Sequence, residues 1–172
     1  RAAMGERGVT VFAFRAADRV FLSATPELLV SAHGERVRAE AVAGSRPRRG
    51  DDPAELADLE ASEKDAREHA VVQAEIARAL APLVSDVRLG ARATRTLGFV
   101  HHLVTPIDAR RTRGVHLLDL ASALHPTPAM AGCPTDAARA YLRAEEGFAR
   151  GWYASPAALL DPEGAWVFAG AG

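Results

Sequence analysis

Apolar and polar positions alternate in short runs over the first forty residues of this 172-residue chain. Residues 9–14, 19–23, 27–31 and 36–39 each have the length and alternation of a strand, with tight turns near Ala17-Asp18 and His33-Gly34-Glu35. That pattern predicts an antiparallel meander. The texture changes at residues 43–50, where Gly, Pro and Arg cluster and a loop is expected. A helix is predicted over Pro53–Ala61, and the strongest helical signal spans residues 62–83. There Val72, Ile76 and Leu80 recur every four positions, as a helix buried on one side requires. Ser62 with Asp65 three residues on resembles a capping box, with Asp in place of the usual Glu or Gln. Strands are predicted again at 86–89, 94–97 and 99–105. A helix follows over 114–124, ended by the prolines of His125-Pro126-Thr127-Pro128, and another begins at Thr135 or Asp136 and runs to Glu146. Short apolar pieces at Ala157–Leu160 and Ala165–Phe168 close the pattern.

Composition adds exclusions. A 48% hydrophobic, 25% charged chain of net charge −1 gives no electrostatic reason to expect nucleic acid or an anionic membrane as partner. No apolar run approaches the roughly 20 residues of a membrane span. The one cysteine, Cys133, permits no internal disulfide, so a cytoplasmic setting is expected. Cys133 itself reads as a small buried hydrophobe. The 21 basic residues include a single lysine, Lys64, so a mechanism that needs a lysine base has one candidate here.

Several residues invite chemistry, each beside a plainer alternative. Glu27 opens an apolar strand, where desolvation would keep its carboxyl protonated as a general acid; a solvent-facing strand entry is the alternative. Glu68 lies on the ridge of Val72, Ile76 and Leu80. It is therefore expected to point toward the core or a cleft, holding Mg²⁺ or pairing with Arg67 or Arg92. His69, His101 and His102 read as structural, with the His101 and His102 rings on opposite faces of a strand. Ala43-Gly44-Ser45 offers backbone N–H groups and a hydroxyl to an anion, and Arg46, Arg48 and Arg49 offer partners to carboxylates; a solvated basic loop is equally compatible. Tyr153 presents a hydroxyl to a ligand or packs at an interface. Gly170 and Gly172 allow close backbone approach or simply flex.

The order of the segments says more than any one of them. Ala24-Thr25-Pro26-Glu27-Leu28-Leu29, Ala43-Gly44-Ser45 with Pro47-Arg48-Arg49-Gly50, and Ala61-Ser62-Glu63-Lys64-Asp65 with Glu68-His69 come first. His102-Leu103-Val104-Thr105, Leu124-His125-Pro126-Thr127-Pro128-Ala129, Arg150-Gly151-Trp152-Tyr153-Ala154 and Phe168-Ala169-Gly170-Ala171-Gly172 follow. In this sequence they resemble the chorismate-binding enzyme family (anthranilate synthase component I-like), and the wording is most similar to isochorismate synthase. The resemblance implies an α+β fold, a partial anthranilate/isochorismate synthase-like architecture of antiparallel sheets with outer helices. It implies Mg²⁺-dependent isomerisation of chorismate to isochorismate, feeding siderophore or menaquinone precursors. Water attacks one ring carbon, the hydroxyl two carbons away departs, and the double bonds shift. Salicylate synthase and a non-catalytic chorismate-binding fragment are the alternatives. By resemblance Glu27 is the general acid, Glu68 a Mg²⁺ ligand and His102 the histidine near the ring. Gly44, Ser45, Tyr153, Gly170 and Gly172 contact substrate. Implied partners are chorismate and isochorismate alone, with a monomer expected of a complete protein.

The family pattern also implies residues that this sequence does not carry. A water-activating lysine is expected upstream of residue 1, and a second Mg²⁺ glutamate with a substrate-binding lysine beyond Gly172, so residues 1–172 read as part of a chorismate-binding domain. A further strand pair with a carboxylate-binding arginine is expected between Trp166 and Val167, where the chain reads as an internal deletion or misjoined frame. An impaired or inactive chain is the expectation.

Overall fold

The computed structural model describes residues 3–4, 8–50, 53–162 and 164–168. The strands are β1 (Ala3–Met4), β2 (Thr10–Ala16), β3 (Arg19–Thr25), β4 (Leu28–His33), β5 (Arg36–Pro47), β6 (Val84–Leu89), β7 (Ala93–Leu97), β8 (Val100–Arg111), β9 (Ala157–Leu160) and β10 (Ala165–Phe168). The helices are α1 (Pro53–Ala61), α2 (Glu63–Leu80), α3 (Leu117–Leu124), α4 (Pro128–Ala131) and α5 (Thr135–Glu145). Among the described residues the strands form a three-stranded sheet, β1-β2-β3, and a seven-stranded sheet ordered β6-β8-β5-β4-β10-β9, with β7 also pairing β8. Every described pairing is antiparallel, as expected of the α+β class.

The predicted meander is real at the level of strands but not of sheets. β2 and β3 pair from Thr10↔Thr25 to Ala16↔Arg19, and β4 and β5 pair through Ser31↔Arg38 to His33↔Arg36. β3 and β4 belong to different sheets, and Pro26-Glu27 is the link between them. Proline has no N–H to offer a ladder, so this is where pairing breaks. The expected loop at 43–50 is a second departure. β5 continues through it to Pro47, because β8 supplies a partner as far as Val100.

That continuation requires a bulge. The register with β8 passes from Val42↔Val104 to Ser45↔His102, so Ala43 and Gly44 together oppose Leu103. Gly44 has φ 84°, in the left-handed region, and a Cβ there would lie 3.1 Å from both Asp65 Cβ and Leu103 Cδ1. Conformation and space both demand glycine.

The core lies where α2 and α3 cover the larger sheet. Val72, Ile76 and Leu80 of α2 and Leu117, Leu120 and Leu124 of α3 pack with Leu29, Val30, Val37, Ala39, Ile107 and Val167. Ser62 caps α2 by accepting from Asp65 N–H at 3.2 Å, as its spacing predicts. The box is not closed reciprocally, since the Asp65 carboxylate binds Arg46 Nη2 of β5 at 2.5 Å instead. α2 ends at Leu80 and α3 starts at Leu117 behind a His116–Asp119 capping box, so both are shorter than the apolar pattern suggested. Pro128 ends nothing: it occupies the first turn of α4, where its missing N–H has no partner to lose. Trp166 and Val167, at the expected junction, lie together in β10, whose register with β9 runs unbroken from Ala165 to Phe168 while that with β4 shifts between Val167 and Phe168.

His69 pins the helix to the sheet. It is 2% exposed, with Nδ1 3.0 Å from the Ala43 carbonyl at the bulge and Nε2 2.8 Å from Thr105 Oγ1 of β8. A carbonyl only accepts, so Nδ1 carries the proton, and the neutral ring accepts from Thr105 at Nε2. Burial depresses its pKa below the ordinary 6.5. The unfolded chain therefore takes up a proton before the native state does. This contribution is intact above pH 6.5 and is lost as pH falls below it. His69→Leu is expected to lower stability at pH 8 by about 1–3 kcal/mol, the cost of orphaning buried hydrogen-bonding groups. It should also lose less stability than the parent between pH 7.5 and 5.5. Thermal or urea melts at the two pH values check both.

Candidate functional site

A cavity lies at Pro26-Glu27, where the chain passes from one sheet to the other. Its lining also takes in the bulge of β5, the start of β8 and Glu68, Val71 and Val72 of α2. The cavity measures about 1000 Å³ and is lined by Glu27, Gly44, Ser45, Glu68 and His102, with Val71, Val72, Phe99, Val100 and Met130 among its apolar residues.

At one end, Glu27 is half-buried and its Oε1 is sealed from solvent without a protein hydrogen-bond partner. Desolvation, with a smaller push from the negative charge of Glu40, raises its pKa from 4.5 to about 7. A carboxyl in that state carries its proton near neutral pH and can give it away. On the sheet wall, Ser45 Oγ lies 2.7 Å from His102 Nδ1. His102 is held toward its neutral form chiefly by burial and secondly by the positive charge of Arg95. His101, one residue earlier, turns to the other face and bonds Thr96 Oγ1 at 2.9 Å, so the alternation expected of the pair is observed.

Glu68 is not the buried residue its ridge implied. α2 turns Asp65, His69, Val72, Ile76 and Leu80 inward. The Glu68 side chain is 53% exposed at the cavity wall, 2.7 Å from Lys64 Nζ rather than paired with Arg67 or Arg92. The helical period explains the difference: Asp65, Val72 and Ile76 set the buried stripe, and Glu68 falls on its shoulder. As a metal donor it offers one hard carboxylate facing the cavity, and no group of three or more His, Cys, Asp or Glu side chains converges among the described residues. Magnesium, which keeps several waters and needs one or two carboxylates, fits such a site only if substrate and water oxygens complete the shell.

Other expected site residues lie elsewhere. Tyr153 is 46% exposed and lines a separate hollow of about 460 Å³ with His125 and Arg150, whose guanidinium carbon stands 5.8 Å from its ring. Only Met130 of α4 borders both hollows. Gly170 and Gly172 fall outside the described residues. Cys133 is exposed, not buried, and sits at the cavity rim. Arg46 does pair with a carboxylate, that of Asp65, but as a strut between β5 and α2.

The sequence pattern alone did not single out Thr25, Glu40 or Arg95. Arg95 of β7 grips Glu40 of β5 through two bonds of 2.9 Å and donates a third, 3.0 Å, to the carbonyl of Pro26. A signal existed: Glu40 is a lone charge in the apolar run Ala39-Glu40-Ala41-Val42, and a buried charge needs a partner.

The family model described as "Chorismate binding enzyme" matches residues 3–171. The chain belongs to the chorismate binding enzyme family. This family member is 42% identical over 158 residues to the "Salicylate biosynthesis isochorismate synthase" of Pseudomonas aeruginosa, which covers 90% of the chain and 33% of that relative. It is 39% identical over 159 residues to "Isochorismate synthase DhbC" of Bacillus subtilis, covering 87% of the chain and 39% of the relative. The solved structure of MenF, the menaquinone-specific isochorismate synthase from Escherichia coli, superposes with TM-score 0.88 at 26% identity, over 95% of this chain and 39% of MenF. The chain thus spans well under half the length of these relatives.

Burial of Glu27 makes a testable demand on stability. Its native pKa lies above the unfolded value, so the native state holds an extra proton between pH 4.5 and about 7. That stability is present below pH 4.5 and drains away as pH rises to about 7. Carboxyl ¹³C NMR should show one glutamate titrating near 7 that vanishes in Glu27→Gln. The variant should also melt higher than the parent at pH 8 and lack the parent's loss across that window.

Proposed function

We propose that the chain forms the chorismate-binding and proton-donating part of an isochorismate synthase. The observation that carries this reading is that Glu27, whose pKa burial raises to about 7, and the more exposed Glu68, beside Lys64, line one cavity. A cyclic dicarboxylate that must lose a hydroxyl needs both: a neutral acid at the leaving oxygen and compensation for its own negative charge. Glu27 gives its proton to the departing hydroxyl, a step typically worth ~10²–10⁴-fold in rate. Ser45 and His102, bonded to each other and uncharged, orient the ring by hydrogen bonds without competing for that proton. The Gly44 bulge lets the backbone approach the ligand closely. Val71, Val72 and Val100 add apolar surface to the same cavity, and burial of the acid keeps its pKa high.

Glu68 would hold Mg²⁺ after exchanging its Lys64 partner for the ion. When bound, the ion supplies positive charge against a substrate carboxylate. Lys64, the one lysine of the chain, is not available as a base: its ammonium is hydrogen-bonded to Glu68, which raises its pKa further. The chain has no second lysine to activate the attacking water, so it should bind chorismate without releasing isochorismate or salicylate.

Calorimetric titration of the 172-residue chain with chorismate, with and without Mg²⁺, tests the proposal. Mg²⁺ should strengthen chorismate binding in the parent. Glu68→Gln should reduce that gain about tenfold or more, since a contact between charged groups is worth about 1.5–3 kcal/mol. Chromatography of the incubated mixture should recover chorismate unchanged. Absence of binding, or binding that leaves the Glu27 and His102 resonances unmoved, would sink the reading.

A further inference from the structure

The peptide that joins Pro26 to Glu27 lies between the two sheets, where no strand supplies its hydrogen bonds. Both of its polar groups are nevertheless held by side chains. The Glu27 N–H donates to Thr25 Oγ1 at 3.1 Å, and the Pro26 carbonyl accepts from Arg95 Nη1 at 3.0 Å. Arg95 is itself fixed by the Glu40 fork, Nη1 to Oε2 and Nη2 to Oε1, each 2.9 Å. Thr25 and Glu40 are 4% and 6% exposed. Strands β3, β5 and β7, far apart in sequence, therefore converge on one peptide unit.

At the far end of Glu27 one oxygen lacks a comparable hold. Oε1 is buried without a partner, so no contact at that atom sets where the carboxyl points. We propose that Thr25, Glu40 and Arg95 are positioning residues that fix the backbone of Glu27 and so aim its carboxyl into the cavity; this rests on the reading of Glu27 as the acid. The planar fork of Arg95 is what the geometry uses. It reaches two carboxylate oxygens and a carbonyl at once, and a lysine ammonium, a single point of charge, does not reproduce that pattern. Thr25 completes the hold from the other side, its hydroxyl accepting from the one N–H that Pro26 leaves at this corner. The charged and titratable groups around Glu27 are Glu40 of β5, Arg95 of β7, Glu68 of α2 and His102 of β8.

The test uses the full 172-residue chain, needs no ligand, and reads two signals: hydrogen exchange of the Glu27 amide and the ¹³C titration midpoint of its carboxyl. Thr25→Val keeps shape and charge while removing the acceptor. Arg95→Lys keeps charge while removing the fork. In both, the Glu27 amide should exchange at least tenfold faster, and the midpoint should fall from about 7 toward the ordinary value as the carboxyl swings into water. Thr25→Ser, which restores the hydroxyl, should behave as the parent, and His69 should keep its protection in every variant. An unchanged Glu27 amide and midpoint in Thr25→Val overturns the proposal, as does a Thr25→Ser variant as impaired as Thr25→Val. Should Arg95→Lys fail to fold, the Thr25 pair decides the matter alone. Chorismate binding that leaves Glu27 untouched would remove the acid reading, whereas these ligand-free signals report on the clamp independently.

Discussion

His69 joins three elements at a single imidazole, and the candidate site depends on that junction. The ring gives its Nδ1 proton to Ala43 at the bulge of β5 and takes one from Thr105 of β8 at Nε2. A buried polar group left without a partner is costly, so the ring, the bulge and the strand hold one another in place. The bulge then dictates Gly44, the only residue that tolerates both its φ and the approach of Asp65 and Leu103. It also shifts β5 by one residue against β8, which brings Ser45 opposite His102 on the cavity wall. Without the shift, Gly44 would take that place and His102 would face no hydroxyl.

The chemistry of the cavity is a matter of unequal surroundings. Glu27 and Glu68 are the same side chain in two environments. Glu27 is walled by apolar residues and shadowed by the negative Glu40, so its proton is retained to about pH 7. Glu68 stands at the helix shoulder with Lys64 and water around it. The Glu40 charge raises the Glu27 pKa, while Arg95, forked to Glu40, holds the Pro26 carbonyl of the backbone that carries the acid.

Much of the fold was legible. Period-two runs gave the strands, the Val72–Ile76–Leu80 repeat gave α2, and the Ser62 and Asp65 spacing gave its cap, because each rests on contacts within a few residues. The segment at 43–50 was misread as loop for a physical reason. Its Gly, Pro and Arg content disfavours a strand locally, but β8, distant in sequence, lies alongside and supplies hydrogen bonds from His102 to Val100. Glu68 was expected on the buried ridge and lies 53% exposed at a cavity wall, since a four-residue repeat cannot tell the centre of a buried stripe from its shoulder. Cys133 was expected inside and is exposed, in the segment that links α4 to α5.

By itself, the order of residues determined that this chain has a chorismate-binding enzyme's run of motifs, with an acidic side chain at the entry to one strand and another near the start of the long helix. Tertiary structure decided that those two acids share a hollow, that Tyr153 does not, and that Thr25, Glu40 and Arg95 meet behind Glu27. The division follows from range. Propensity and periodicity are set by neighbours along the chain. The desolvation that raises a pKa and the convergence that fixes a peptide are set by residues brought together across sheets.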